Sequence, residues 1–202
     1  MLIVAILSQK ETTMPHLFEP ITLRGLTLKN RIVLSPMCQY SAGKDGQPND
    51  WHYVHYTTRA VGGVGLIMLE ATAIESRGRI SESDLGIWSD NQTEPLARLV
   101  QMCHDRGAKV GIQMGHAGRK AWSMPAERRG FGPEQPVGPS PIPFDEGWNI
   151  PHPLSTSEIE EIVHSYRVAT KRAVTAGFDV LEIHAAHGYL ISEFLSPLSN
   201  ER

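Results

Sequence analysis

Two histidines and a tyrosine lie close together near the end of the chain. The segment HAAHGYL places His184 and His187 three residues apart, with Tyr189 two residues further on. Residues three apart on a strand face opposite sides, so the imidazoles converge only if the chain curls after Ala185, which Gly188 tolerates. Two imidazole donors can then hold one oxygen atom, and the phenol can deliver a proton. The spacing therefore favours a site that polarises a carbonyl group.

Two other interpretations of this segment remain open. The histidines could be core residues whose nitrogens bond to the backbone, although the H-x-x-H-x-Y pattern at a strand end favours a site. They could also bind a metal ion, because histidine is a common metal ligand, with His116 or Glu70 as the third ligand. The chain has no H-E-x-x-H segment and no paired cysteine ligands, so the metal interpretation is the weaker one.

Apolar and amphipathic segments alternate along the chain, which predicts a strand followed by a helix four times. The predicted strands are RIVLSPM (31–37), VGLIMLEATAI (64–74), AKVGIQMGH (108–116) and FDVLEIHAAH (178–187). The predicted helices cover 50–61, the segment from an N-cap at Thr93 to Gly107, and the segment from the Ser155–Glu158 capping box through Ala176. LISEFLS predicts the start of a fourth helix, and PITLRGLTLKN predicts a hairpin before the first strand.

Alternating strands and helices indicate an α/β fold with a parallel sheet. A doubly wound sheet would usually carry a Gly-rich turn after its first strand, and SPMCQYSA has none. A (β/α)8 TIM barrel instead places its chemistry at the C-terminal ends of several strands. The unusual residues of this chain lie at such ends: Cys38, Glu70, Ala71, Gln113, His116, His184 and His187. A whole barrel takes about 250 residues, so we expect the first four βα units, preceded by the hairpin.

Composition narrows the class of protein further. The chain has 202 residues, of which 41 % are hydrophobic, and a formal net charge of −3, so no basic field indicates nucleic acid or an acidic membrane as a partner. No apolar segment approaches the ~20 residues of a membrane span. Only two cysteines occur, which indicates a reducing, cytoplasmic location. We expect an irregular N-terminal extension over 1–14 and half a barrel over 15–202.

Two further segments suggest what the site binds. The third strand alternates Gly111, Gln113 and Gly115 on one face, which leaves room for a flat ligand beside one amide. An amide can both donate and accept, as a flavin pyrimidine ring requires, although a buried amide in a weakened strand is an equal alternative. Cys38 lies in a strand-end loop beside Tyr40, which favours a role in the site over simple packing. The Gly- and Pro-rich stretch 117–153 is expected to shape access, with Trp122, Phe144 and Trp148 as candidate walls or as loop packing.

Four segments together resemble the Old Yellow Enzyme family. They are KNRIVLSPMCQYSA, DLGIWSD, GIQMGHAGRKA and FDVLEIHAAHGYLISEFLSPLSN, and the resemblance runs from about Leu17 to Arg202. Cys38 and Tyr40 match the branch of bacterial NADPH dehydrogenases, or thermophilic-like ene reductases. The resemblance implies a flavin-containing (β/α)8 barrel that takes hydride from NADPH onto FMN. The hydride then passes to the activated C=C bond of an α,β-unsaturated carbonyl compound.

The resemblance also implies roles for individual residues. Cofactor-binding residues would be Ser35, Pro36, Met37, Cys38, Ala71 and Gln113, with Cys38 tuning the flavin potential and Gln113 bonding the pyrimidine side. Substrate-binding residues would be Tyr40, His184, Ala185, Ala186 and His187. The two histidines would hold the carbonyl oxygen, and Tyr189 would protonate the α-carbon. A small enone-type molecule is the expected partner, and a homo-oligomer is compatible with the family.

Two alternatives to this enzyme stay open, and the first follows from the length of the chain. In the family, a second half of the barrel supplies an arginine on the flavin and the loops that bind its phosphate. The chain as given could thus be a truncated half-barrel that catalyses nothing. The other alternative is a metal-dependent hydrolase built on His184 and His187.

Overall fold

The structure is a computed structural model that describes residues 16–202. The irregular extension predicted over 1–14 lies outside the described residues. The described part opens with an antiparallel hairpin of β1 (Ile21–Leu23) and β2 (Leu26–Leu28), so the predicted hairpin is confirmed.

A four-stranded parallel sheet forms the centre of the molecule. Its strands are β3 (Val33–Leu34), β4 (Leu66–Ala73), β5 (Lys109–Gly115) and, after the short parallel pair β6 (Val137–Gly138) and β7 (His152–Pro153), the last strand β8 (Val180–Ile183). The order in the sheet, β3-β4-β5-β8, is the order along the chain, and every pair is parallel. All four C-terminal strand ends therefore meet at one edge of the sheet.

Helices connect these strands, as parallel pairing requires. They are α1 (Asp50–Val61), α2 (Thr93–His104), α3 (Thr156–Thr175) and α4 (Leu190–Leu195). The predicted capping box of α3 is confirmed, because Ser155 Oγ accepts from the Glu158 N–H and Glu158 Oε2 accepts from the Ser155 N–H. Asn49 and His52 form a second capping box at the start of α1. Across residues 16–202, no helix combines the length and apolar character that a membrane crossing needs.

The main core lies between the sheet and these helices. Val110, Ile112 and Met114 all point into it and are at most 1 % exposed, which confirms the predicted alternation of the third strand. The opposite face of the sheet is covered near its N-terminal end by the hairpin, where Leu28 packs with Leu66 and Met68. The sheet is thus covered on both faces near its N-terminal end, and the chain is open near the C-terminal strand ends.

Four details differ from the predictions. The fourth strand is shorter than 178–187, because β8 covers only Val180–Ile183 and the chain curls after it. The first strand is shorter than 31–37, because Pro36 has no N–H to donate to a ladder. Thr93 is the first residue of α2 and not its N-cap, since a 3₁₀ turn over Asp90–Gln92 leads directly into the helix. Ile183 alternates with Glu182 and His184 along the fourth strand, and this alternation predicts that it packs against a helix. It is instead 58 % exposed, because β8 is an edge strand that no described element covers at that point.

Candidate active site

A cleft lies where the C-terminal ends of β4, β5 and β8 meet. Its walls come from the C-terminal residues of each strand and from the loop that follows β4. The lining side chains include Ala71, Asp84, His116, His184 and Tyr189. The cleft therefore joins residues that are more than a hundred positions apart in the sequence.

The two histidines of the HAAHGYL segment come together at the mouth of this cleft. His184 Nε2 lies 3.3 Å from His187 Nδ1, and the rings are nearly perpendicular at 86°. The predicted curl of the chain is present, but His187 itself adopts the left-handed conformation with φ +57°, alongside Gly188 at +69°. Such a conformation is uncommon for a residue other than glycine and marks local strain.

Hydrogen bonds define which nitrogen of each ring carries the proton. The Ala186 N–H donates to His184 Nδ1, so the neutral ring holds its proton on Nε2, which points at His187. His187 then accepts at Nδ1 and keeps a free N–H at Nε2. Burial, followed by the nearby His187, lowers the pKa of His184, so this ring is neutral near pH 7. In this structure the two imidazoles bond to each other.

Tyr189 lies directly beside this pair. Its ring meets that of His184 edge-on, with centroids 5.0 Å apart and planes at 89°. Burial, and then the acidic neighbours Cys38 and Asp84, raise the pKa of Tyr189 to about 12. The phenol is therefore protonated throughout the neutral range and can act as an acid.

Cys38 lies on the other side of Tyr189, in the loop after β3. Like Ala71 and Tyr189, it packs against the buried cluster of Ile80, Ala117, Ala121 and Trp122. Burial, and then the carboxylates Asp84 and Glu70, raise the pKa of the Cys38 thiol to about 11, despite a hydrogen bond with Tyr40. The thiol is thus neutral, and Cys38 behaves as a polarizable neighbour of the cleft and not as a nucleophile.

The remaining predicted cofactor residues line the sheet edge. Ser35 and Met37 are exposed, Pro36 and Ala71 are half-buried, and the Gln113 side chain donates its Nε2–H to Glu182 Oε1 at 2.6 Å. The predicted substrate residues Ala185 and Ala186 are exposed beside His187, and Tyr40 is 37 % exposed with φ +49°. The predicted site residues thus all lie at or next to the C-terminal ends of the strands.

The metal interpretation finds no ligand set in the described part of the chain. Within residues 16–202 there is no group of three or more His, Cys, Asp or Glu side chains placed to hold a metal ion. His116 accepts from the Gly118 N–H at Nδ1, and its Nε2 lies 3.5 Å from Glu75. Glu70 accepts from the Gln39 N–H and the Tyr56 hydroxyl. Both suggested third ligands are therefore occupied elsewhere.

Two charged residues of the site escaped the sequence analysis. Asp84 is 3 % exposed and accepts from the Ile80 N–H and the Ser81 hydroxyl, both at 2.6 Å, and burial raises its pKa to about 6. Lys120 donates to the carbonyl of His187 at 3.0 Å and lies 4.9 Å from the Tyr189 ring centre. Neither position follows from strand or helix periodicity, because both lie in loops that fold back onto the cleft.

The segment 117–153 contributes differently from what was expected. Trp122 is fully buried and is not a wall of the cleft. The guanidinium of Arg79 lies 5.0 Å from the centre of the Trp122 ring and 5.0 Å from the centre of the Trp88 ring. Phe144 is 41 % exposed, contacts Trp148 edge-on at 4.9 Å and lies 4.7 Å from Lys120 Nζ. Phe144 is therefore the aromatic residue that remains near the mouth of the cleft.

Fold and cleft together define the class of protein: four βα units of a (β/α)8 barrel with reactive side chains at the C-terminal strand ends. A family model described as NADH:flavin oxidoreductase / NADH oxidase family matches residues 16–202. The chain belongs to this family, which confirms the resemblance drawn from the sequence motifs.

Individual relatives agree with this assignment. The chain is 52 % identical over 187 residues to an NADPH dehydrogenase of Geobacillus sp. (strain WCH70), and 54 % identical over 190 residues to an NADPH dehydrogenase of Listeria innocua serovar 6a. These alignments cover 92 % and 94 % of this chain, but 52 % and 54 % of the relatives. The chain therefore spans about half the length of the curated relatives it matches.

Solved structures show the same relation. An Old Yellow Enzyme from Pichia sp. AKU4542 matches with a TM-score of 0.83 and 29 % identity, over 93 % of this chain and 50 % of that one. Morphinone reductase in complex with tetrahydroNAD matches with a TM-score of 0.82 and 33 % identity, over 94 % of this chain and 54 % of that one. The described fold is thus that of half an Old Yellow Enzyme barrel.

Proposed function

We propose that this chain forms part of an FMN-dependent oxidoreductase that passes hydride from NADPH, through FMN, to the activated C=C bond of an α,β-unsaturated carbonyl compound. The proposal is supported by the family, by NADPH dehydrogenases among the relatives, and by a solved relative that binds tetrahydroNAD. The substrate is a small enone-type molecule, and a homo-oligomer is compatible with the family. Neither cysteine forms a disulfide, which agrees with a cytoplasmic location.

One observation carries the proposal. Cys38, Ala71 and Tyr189 follow or end three different strands, yet they pack against one buried cluster, with His184 edge-on to Tyr189. A neutral thiol, a small apolar residue, a phenol and two imidazoles at one place suit a flat redox cofactor beside a carbonyl-bearing substrate. The same set would make a poor hydrolase, since none of these groups is an activated nucleophile.

The residues present fit the isoalloxazine ring of FMN. Met37 is apolar but 49 % exposed, and the half-buried Ala71 lies across the sheet from Gln113, so an apolar surface beside one amide is left uncovered. Ser35 to Cys38, Ala71 and Gln113 would hold the ring. When bound, FMN would supply the hydride that it takes from NADPH.

The histidine pair would bind and polarise the substrate carbonyl. A carbonyl oxygen that enters the cleft replaces His187 Nδ1 as acceptor for the His184 Nε2–H, and the free His187 N–H becomes the second donor. His184 donates as a neutral imidazole, which agrees with its lowered pKa. Two donors stabilise the negative charge that develops on the oxygen.

Tyr189 would complete the reaction as the acid. Its pKa of about 12 keeps the phenol protonated, so it can deliver a proton to the α-carbon of the substrate. The neighbouring Cys38 and Tyr40 stay neutral too, since burial raises the pKa of both. Of these three protonated groups, Tyr189 is the one whose ring packs edge-on against His184.

The test is a double variant, His184→Ala with His187→Ala, compared with His164→Ala, which removes an exposed histidine of α3. We expect the double variant to lose binding of phenolic and enone ligands while FMN stays bound, because the pair faces the substrate. Loss of one such donor typically costs about 3 kcal/mol at the transition state, roughly a hundredfold in rate. Unchanged enone turnover in the double variant would refute the role of the histidines.

A further inference from the structure

A carboxylate is fully buried directly behind the loop that carries Cys38. Glu70 lies on β4, where the pairing with β5 shifts register between Leu69 and Ala71, and its side chain is 1 % exposed. A buried carboxylate costs several kcal/mol unless hydrogen bonds compensate it. The mechanism above does not use Glu70, so its burial requires another explanation.

One oxygen of Glu70 faces helix α1. The Tyr56 hydroxyl donates to Glu70 Oε1 at 3.1 Å and accepts from the Glu70 N–H at 3.0 Å, so these two residues hold each other. His52 is completely buried, and its Nε2 lies 3.4 Å from the same oxygen. His52 Nδ1 accepts from the Asn49 N–H at 3.2 Å and lies 3.1 Å from Asn49 Oδ1, so the ring is anchored at the start of α1. These contacts fix the carboxylate against the first turns of α1.

The other oxygen of Glu70 reaches the loop. The Gln39 N–H donates to Glu70 Oε2 at 2.7 Å, the shortest contact that the carboxylate makes. Gln39 stands between Cys38 and Tyr40, the two loop residues whose side chains are near Tyr189 of the cleft. Tyr40 is in the left-handed conformation with φ +49°, which a residue other than glycine keeps only when its surroundings hold it there. The Gln39 side chain bonds in addition to the Met37 carbonyl and accepts from Trp51 Nε1 of α1.

We propose that Glu70 is a positioning residue for the reaction: by holding the Gln39 N–H, its carboxylate sets where the Cys38 thiol and the Tyr40 ring stand at the cleft. This inference rests on the proposed function, since it places those two side chains against FMN and its substrate. A purely structural role would need only the contacts of Glu70 Oε1 with α1. The hydrogen bond from the Gln39 N–H to Oε2 extends the network to the loop. Asp84, Tyr40 and Tyr189 are also near the Cys38 thiol. The reactivity of this thiol therefore reports a change at Glu70.

The test compares Glu70→Gln with Tyr56→Phe. Glutamine keeps the volume of Glu70 but has one acceptor oxygen. When that oxygen accepts from the Tyr56 hydroxyl, the amide NH2 group faces the Gln39 N–H and the loop contact is lost, and exchange of the Gln39 amide detects this. Phenylalanine removes only the hydroxyl on the α1 side and leaves the Gln39 contact. The readouts are the pH profile of Cys38 alkylation by iodoacetamide, followed by mass spectrometry of the Cys38 peptide, and the midpoint potential of bound FMN. Cys103 is fully buried and serves as the internal reference.

We expect Glu70→Gln to speed hydrogen exchange of the Gln39 amide, because the amide loses its acceptor, and to speed alkylation of Cys38 at pH 8 by about threefold. It should also shift the flavin potential, whereas Tyr56→Phe should alter stability alone. Faster alkylation with unchanged exchange of the Gln39 amide would be the effect of the lost charge alone and would overturn the proposal. An alkylation profile that Glu70→Gln leaves unchanged would make Glu70 structural and overturn the proposal. A shifted profile with an unchanged flavin potential would equally overturn its role in the reaction.

Two further measurements separate the possible failures. If Glu70→Gln does not fold, hydrogen exchange of the Gln39 amide in the unaltered protein decides, since the proposed contact requires slow exchange and rapid exchange overturns it. If the whole barrel of which this chain forms part binds no FMN, the proposed function fails by itself. The alkylation profiles then still decide whether Glu70 sets the Cys38 loop, because they need no flavin.

Discussion

Replacement of Glu193 by glutamine should stabilise the protein at and above neutral pH. Glu193 is 1 % exposed; its Oε1 accepts from the Arg119 N–H at 2.9 Å, and its Oε2 has no hydrogen-bond partner among the described residues. Burial raises the pKa of Glu193 to about 8, despite the opposing effects of Arg119 and Lys120. The folded protein therefore holds a proton here that the unfolded chain releases near its ordinary pKa of 4.5.

The size of the effect follows from this difference. Below pH 4.5 the group is protonated in both states and has no effect on stability. Between pH 4.5 and 8 the unfolded state loses its proton first, so the free energy of unfolding falls by about 1.4 kcal/mol for each pH unit. Above pH 8 the cost is constant, at roughly 3–5 kcal/mol. Glutamine cannot ionise, and it keeps an oxygen for the Arg119 N–H. The variant should thus match the parent near pH 5 and exceed its stability by about 3 kcal/mol at pH 7.

Urea denaturation at pH 5, 6, 7 and 8 and constant ionic strength measures this directly. Other carboxyls, such as Asp84 and Glu75, also change stability with pH, but they do so in parent and variant alike, so the difference isolates Glu193. Glu160→Gln, which removes an exposed carboxylate of α3, is the matched control. Parallel curves for Glu193→Gln and the parent between pH 5 and 8 would refute the reasoning.

Cys38→Ala should shift the midpoint potential of bound FMN and leave the fold intact, and spectroelectrochemistry that gives one potential for both proteins would make Cys38 a packing residue. Tyr189→Phe should slow reoxidation of the reduced flavin by an alkene but spare its reduction by NADPH, since the phenol serves only proton delivery; equal loss in both stopped-flow half-reactions would contradict this. Ser155→Ala removes the hydroxyl that accepts from the Glu158 N–H. The free energy of unfolding measured by urea denaturation should therefore fall by about 1 kcal/mol. An unchanged denaturation midpoint would argue against a stabilising cap.

Periodicity and caps predicted most of the fold. Helix α1 has the predicted bounds, the Ser155 capping box opens α3, and the alternation of Val110, Ile112 and Met114 points into the core. Ile183 shows the limit of this reasoning. Alternation predicts which face of the strand a residue occupies. Whether another element packs on that face depends on the tertiary structure.

The site was predictable where its residues follow strands directly, as Cys38 and His184 do. Three buried carboxyl groups were harder to place. Glu70 sits where the strand register shifts, Asp84 bonds to its own loop, and Glu193 faces back from α4 to the Arg119 N–H. Their environments depend on which backbone groups lie opposite them after folding, and no spacing in the sequence records that.

The order of the strands has a consequence for how the chain reaches its native state. Because β3, β4, β5 and β8 are neighbours in chain order, each strand after β3 leaves the ribosome when the strand it pairs with has already emerged. The connection from Gly115 to Val180 is nearly twice as long as that from Ala73 to Lys109, which costs only about 0.6 kcal/mol more in loop-closure entropy. The segment 117–153 can therefore change in length at little cost to assembly. Insertions and deletions can therefore alter the mouth of the cleft around Phe144 without moving the strand ends beneath it.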